Sequence, residues 1–314
     1  MAARLVISLQ VQEQGNQTSI TEFILLGFGT LPDLHFFLFL LFLVIYIATT
    51  AGNILIMALV VNDQHLHTPM YFFLGNLSCL EICYTSTILP RMLANLLTED
   101  RTISVSGCIT QYYFFSSMLA TECLLLSVMS YDRYLAIVKP LHYAASMNGK
   151  SCLQLAGGSW VGGFLASSIT ALLLSQFNFC GPNSIDHFFC DFIPLVKLSC
   201  NDPQLMEILA FTLTSVLSLA PFLLTLLSYV CIITTILRIP STTGRQKAFS
   251  TCSSHLIVVS IYYGTLLIVY IVLSLIYTVL TPLVNPLIYS LRNKEVKEAL
   301  RKGGSGNGES SGNL

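Results

Sequence analysis

Seven apolar stretches, each long enough to cross a lipid bilayer, constrain this chain more than any other feature. They are Leu34–Val61, Pro69–Leu93, Cys108–Tyr131, Cys152–Phe179, Leu205–Leu237, Lys247–Tyr270 and Ile271–Leu291. A helix crosses the hydrocarbon core of a bilayer with about 20 mainly apolar residues. Only 10% of the 314 residues are charged, where soluble domains carry about a quarter. A soluble fold of this composition would lack the polar surface to stay dispersed. Backbone groups in lipid must be satisfied within their own segment, which leaves helices or closed barrels, and the alternation of barrel strands is not present. The sequence therefore predicts an all-α membrane protein, a seven-transmembrane helix bundle over residues 34–291.

The ends and loops set the expected orientation. Leu5–Leu9 is too short for the apolar core of a signal peptide, and no small-residue cleavage site follows it. The first span is thus expected to act as its own insertion signal. Asn16-Gln17-Thr18 is an acceptor triplet for N-glycosylation; its use places the N-terminal segment, 1–33, outside the cell. Eleven basic residues then lie inside: Arg133, Lys139, Lys150, Arg238, Arg245, Lys247, Arg292, Lys294, Lys297, Arg301 and Lys302. Four lie outside (Arg4, Arg91, Arg101 and Lys197), as the positive-inside rule requires. Residues 292–302 read as a short amphipathic eighth helix at the inner interface, with Val296, Ala299 and Leu300 toward lipid. No cysteine follows to carry palmitate. Residues 303–314 read as a flexible cytoplasmic tail. A net charge of −1 gives no footing for nucleic acid.

The boundary between the sixth and seventh spans is the least marked. From Leu256 to Leu291 there is no Lys, Arg, Asp or Glu, and no Gly/Asn/Pro turn separates the two spans. At 1.5 Å per residue, Lys247–Leu291 just holds two crossings, with almost nothing left for a turn at 271–273. The alternative is one long helix kinked at Pro282 and Pro286. It would carry the basic tail outside, against the charge rule.

Several residues bear chemistry. Glu81 and Glu122 fall inside the second and third spans, where an ionisable group costs roughly 2.5–3.5 kcal/mol on insertion and so implies a use. Asp132-Arg133-Tyr134 ends the third span. Pro221 and Pro286 free backbone carbonyls and allow bending. Cys108, Cys180, Cys190 and Cys200 share the outer side; four thiols form two bridges in three ways, and spacing does not choose among them. A metal held by His187, Cys190 and Asp191 is a weaker rival, because such spacing is common by chance. The other cysteines (Cys79, Cys83, Cys123, Cys152, Cys231 and Cys252) read as reduced, packed thiols, and Trp160 as packing. No enzyme constellation stands out.

Four strings then point to a family. Leu66-His67-Thr68-Pro69-Met70-Tyr71-Phe72-Phe73-Leu74 ends the first inner loop. Met129-Ser130-Tyr131-Asp132-Arg133-Tyr134-Leu135-Ala136-Ile137 closes the third span, followed by Lys139-Pro140-Leu141-His142-Tyr143. Lys247-Ala248-Phe249-Ser250-Thr251-Cys252-Ser253-Ser254-His255-Leu256 opens the sixth. Pro282-Leu283-Val284-Asn285-Pro286-Leu287-Ile288-Tyr289-Ser290-Leu291-Arg292-Asn293 closes the seventh. In this order and at these span ends they resemble the signature set of vertebrate odorant receptors of the tetrapod-type class, within the rhodopsin-like G-protein-coupled receptors. The resemblance runs from about Thr21 to Lys302.

The resemblance carries expectations. It implies the bridges Cys108–Cys190 and Cys180–Cys200, the first tying the second outer loop over the bundle mouth. It implies a switch toward a G protein built from Asp132, Arg133, Tyr134, Tyr229, Asn285, Pro286 and Tyr289. Glu81 and Glu122 match family acids near a sodium position, with Asn53, Ser127 and Asn285 as polar neighbours; a neutral, hydrogen-bonded pair is the plainer reading. No other cofactor is expected. A ligand pocket is expected between spans three, five, six and seven. Its lining would be Phe115, Ser116, Leu119 and Ala120, then Leu213, Thr214, Leu217 and Ser218, then Tyr263, Leu266 and Leu267, and lastly Tyr277 and Thr278. An apolar lining with a few hydroxyls suits small volatile ligands. The implied partners are an odorant, the olfactory Gs-type G protein and the bilayer of the plasma membrane, with cyclic AMP as the output.

Two departures stand out. Val138 replaces a usual cysteine, and the third outer loop is reduced to Ile271, Val272 and Leu273 where the family has about a dozen polar residues between the positions of Tyr270 and Ser274. This leaves two rival readings: a deletion variant that folds or signals poorly, and a membrane transporter or channel whose acid pair lines an ion path.

Overall fold

The computed structural model describes residues 20–27, 32–98, 100–180, 182–200 and 204–275. Asn16, Tyr277, Thr278, Asn285, Pro286, Tyr289, the 292–302 segment and the tail lie outside the described residues. The backbone packs as two units, Met1–Cys252 and Ser253–Leu314.

The long helices are α1 (Pro32–Asn62), α2 (Pro69–Thr98), α3 (Val105–Val138), α5 (Gly149–Leu174), α7 (Gln204–Leu237) and α8 (Thr242–Leu275). Two short ones, α4 (Pro140–Ser146) and α6 (Phe192–Lys197), lie in the connections that follow α3 and α5. Five of the described helices are long and apolar enough to cross a membrane; Thr242–Ser250 with Cys252–Ile268 makes a sixth as one bent span. Caps fix several starts. Ser104 accepts the Gly107 N–H at 3.1 Å before α3, and Asn148 accepts the Ser151 N–H at 3.0 Å before α5. Pro140 sits in the first turn of α4, where its missing N–H costs nothing.

α3 is the hub of the first unit and packs against α2, α5 and α7, while α1 packs on α2. Its inward side mixes apolar and polar side chains: Leu125, Leu126 and Met129 are buried, and so are Gln111, Ser117, Thr121, Ser130, Asp132 and Arg133. Many other large apolar side chains face outward. Phe36, Val44, Leu165 and Phe211 are each more than 60% exposed, which suits contact with lipid, since lipid tails do not drive apolar groups inward. α5 approaches α3 closely at Gly163, where a Cβ atom would lie 2.8 Å from the Ser117 carbonyl oxygen.

The first six expected spans coincide with described helices, their ends shifted by up to seven residues; of the seventh, Ile271–Leu291, only 271–275 fall within the described residues. α5 stops at Leu174, five residues before the expected Phe179; Phe179 instead bridges Ser199 in the outer cap. The segment ahead of the first span pairs into a sheet with later loops. Its strand β1 (Glu22–Leu25) lies between β2 (Thr102–Ser104, antiparallel) and β3 (Ser184–Ile185, parallel). At 271–273 the backbone is helical, and α8 continues to Leu275, the last described residue. Three apolar residues without Gly, Pro or Asn offer the backbone no turn, so the helix propagates.

The cap over the end of the bundle has its own small core. Phe23 is fully buried and meets Phe179 edge-to-face at 5.1 Å. Leu25, Tyr112, Leu174, Ile185, Leu195 and both cysteines of one bridge complete the cluster. That bridge is Cys108–Cys190, and the second is Cys180–Cys200, with Cα–Cα distances of 5.4 and 5.6 Å. This is the pairing that the family resemblance implies. The other six cysteines are unbridged.

Candidate functional site

Three sets of side chains along α3 carry the chemistry, and the helix axis separates the first from the last. Asp132 lies 24 residues after Cys108, about 36 Å along a helix, so it sits at the end away from the disulfides.

At that far end Asp132 is fully buried and Arg133 is 8% exposed. Arg133 Nε donates to Asp132 Oδ2 at 2.9 Å, and a second guanidinium nitrogen reaches the same oxygen. The other carboxylate oxygen accepts the Tyr143 hydroxyl at 2.9 Å. A buried carboxylate is tolerable only when paired and hydrogen-bonded, and Tyr143 from α4 completes that set. Burial, then the Asp132 charge, pushes the Tyr143 phenol above its usual range. Tyr134 faces elsewhere: its ring stacks on Tyr131 at 6.3 Å, and the Lys139 ammonium sits 5.9 Å from its centroid. Tyr229 on α7 is buried, and its hydroxyl donates to the Cys252 carbonyl at 3.5 Å. A turn earlier, the Ser130 hydroxyl lies 3.4 Å from that of Thr225. Sequence reasoning named the acid–base pair but not Tyr143, although the Lys139–Tyr143 string was in view; nothing in a five-residue loop motif says which ring turns back to the helix.

In mid-bundle, Asn53 on α1 donates to Glu81 Oε2 at 2.9 Å and to the Thr49 carbonyl at 3.1 Å. Glu122 on α3 is half-buried and lies within electrostatic reach of Glu81. Among the described residues no group of three or more His, Cys, Asp or Glu gathers to hold a metal. Carboxylate oxygens are hard donors of the kind that suits a small hard cation.

Toward the disulfide end, Phe115 does not stand alone on its stripe. Its ring lies 5.2 Å from Tyr84 of α2 and 4.9 Å from Phe189 of the connection between α5 and α6. The His187 ring meets Phe189 edge-on at 4.4 Å. Burial holds the His187 imidazole below its ordinary value of 6.5, against the opposing pull of Asp191 and Asp186. Gln111 pins this corner: it accepts the Cys190 N–H at 3.0 Å and donates to the Thr87 carbonyl at 3.1 Å. Tyr84, Gln111, His187 and Phe189 were absent from the sequence-based pocket, because a count of helical turns along one span carries no information on loops or neighbouring helices.

The remaining expected lining residues are placed as follows. Ser116 donates to the Tyr113 carbonyl at 3.2 Å, and Leu119 and Ala120 are half-buried. On α7, Leu213, Leu217 and Ser218 are half-buried while Thr214 is exposed, its carbonyl accepting the Ser218 hydroxyl at 2.7 Å. In the second unit the Tyr263 ring packs on Tyr262 at 5.2 Å; Leu266 is half-buried and Leu267 exposed.

Comparison with known proteins identifies the framework. A family model described as olfactory receptor matches residues 42–303. Olfactory receptor 6N1 of Homo sapiens is 50% identical over 302 residues, covering 92% of this chain and 97% of that protein. Olfactory receptor 11A1 of Homo sapiens is 48% identical over 306 residues, covering 94% and 96%. Olfactory receptor 5AP2 of Mus musculus is 48% identical over 299 residues, covering 91% and 94%. A stretch of 302 positions that takes in only 92% of a 314-residue chain means that the first relative carries about a dozen residues that this chain lacks. The family is one of seven-span plasma-membrane receptors, not of enzymes, and the transporter or channel reading is dropped. On its sequence match and its apolar helices alike, the chain belongs to the olfactory receptor family.

Proposed function

We propose that this chain is an odorant receptor in which a small volatile ligand, bound within the bundle near the disulfide end, shifts a conformational equilibrium and activates an olfactory Gs-type G protein. The observation that carries the reading is the buried Asp132–Arg133 pair closed by Tyr143, about 36 Å from the outer cap. A guanidinium held by an acid is a two-state element: kept, it is neutralised inside the bundle; released, its planar fork suits a partner's carbonyl oxygens. The N-terminus then lies outside and the Asp132 end faces the cytoplasm. Cyclic AMP in cells that display the receptor, measured across an odorant panel, tests this. A rise with at least one odorant is expected; silence across a broad panel despite surface labelling would overturn it.

A sodium ion between Glu81 and Glu122 is part of the same proposal. Glu81, Glu122 and Asn53 would hold it, and its charge would relieve the repulsion between two carboxylates in a low-dielectric interior.

A second reading has a specific observation in its favour. Within the matched stretch the chain lacks about a dozen residues that its relative carries, and α8 runs helical through 271–273. A receptor without a turn there would fold or signal poorly. Inserting a dozen polar residues after Tyr270 separates the two: gain of surface display and response only on insertion favours the crippled form.

A further inference from the structure

We infer that Phe189, Phe115 and Tyr84 form a rigid aromatic wall of the ligand site that selects odorants carrying an aryl ring; the inference rests on the odorant-receptor reading above. The three rings come from the second outer loop, α3 and α2, with successive centroids 4.9 and 5.2 Å apart. Each is only half-buried. That sets them apart from rings such as Phe23 and Phe73, which the core encloses fully.

What makes the wall selective is its fixity. Phe189 precedes Cys190, which is bonded to Cys108 and whose N–H donates to buried Gln111. Gln111 in turn donates to the Thr87 carbonyl of α2. The loop is thus pinned to α3 and α2 at the residue next to Phe189, and the His187 ring backs it edge-on. A ring held in advance loses little freedom on binding. Aromatic pairs in offset or edge-to-face geometry gain more than their buried area alone supplies, so such a wall rewards a ligand with a π face over an aliphatic chain of equal size. Gln111 is a positioning residue that acts through Phe189.

The test compares aryl and alkyl odorants matched in carbon number: benzaldehyde with heptanal, and acetophenone with 2-octanone. Cyclic AMP is read in cells whose surface receptor is labelled and normalised. F189L, F115L and Y84L keep an apolar side chain of similar bulk while removing a ring. Each is expected to raise the half-maximal concentration for the aryl member by roughly 2- to 13-fold, the span of one aromatic pair, and to move the alkyl member far less. Q111A is expected to shift aryl preference in the same direction, and F189Y to keep it. Equal shifts for aryl and alkyl members would mean that the rings merely pack the loop, and would overturn the proposal. So would a parent receptor that answers the alkyl members alone, which would leave the odorant-receptor reading standing. Silence toward both sets, with the receptor at the surface, counts against both. Should F189L not reach the surface, F115L and Y84L carry the same comparison from the helices.

Discussion

Gly163 offers the sharpest test of how the bundle is packed. A Cβ added there would sit 2.2 Å from Thr121 Oγ1 and 2.8 Å from both the Ser117 carbonyl oxygen and the Thr121 backbone nitrogen. The threonine hydroxyl can rotate aside; the two backbone atoms cannot move without pushing α5 off α3. Gly157 and Gly158, on the same helix, have nothing within 4 Å of the same position. G163A and G157A therefore gain the same helix-propensity term, about 1 kcal/mol, and differ only by the clash. Overpacking of one methyl group costs roughly 1–3 kcal/mol, and that is the expected gap in stability between the two variants. The assay is thermal unfolding of the purified receptor in detergent, with surface labelling in cells as an independent readout. G157A should match or exceed the parent, and G163A should fall below it. If G163A unfolds with G157A, the close approach of α5 to α3 is not what holds these helices together.

Three further outcomes are expected. Y143F removes the hydroxyl donated to Asp132; a hydrogen bond to a charged group contributes about 1.5–3 kcal/mol, so resting cyclic AMP should rise several-fold, and unchanged or lowered basal signalling would count against the lock. F23A empties a fully buried ring site in the cap at a cost of roughly 3–5 kcal/mol, and should make the loops protease-sensitive and reduce surface display. Burial lowers the His187 value below 6.5, so the unfolded chain takes up the proton first: the stability of this corner is full above about 6.5 and is lost as the pH falls below it. Odorant response should weaken between pH 7.4 and pH 5.5 in the parent and less so in H187Q, a comparison made on the same surface-labelled cells.

The helices were legible in the sequence because lipid imposes a strict rule: a polar backbone in hydrocarbon must close its hydrogen bonds locally. Apolar length alone placed α1 and α7 within two residues and α2 and α3 within seven, and the acid–arginine pair near the end of α3 announced itself as a charge where charge is expensive. Boundaries set by other means were not legible. α5 ends at Leu174 because Phe177 and Phe179 turn into the cap, and nothing in their hydropathy distinguishes cap from membrane. Spacing left three cysteine pairings open; the fold decides by bringing Cys108 to Cys190. β1, Tyr143, Gln111 and the Tyr84–Phe115–Phe189 contacts join residues from 11 to 161 positions apart. Hydropathy is a property of single segments, whereas these contacts are properties of pairs, and only a folded chain states which pairs meet.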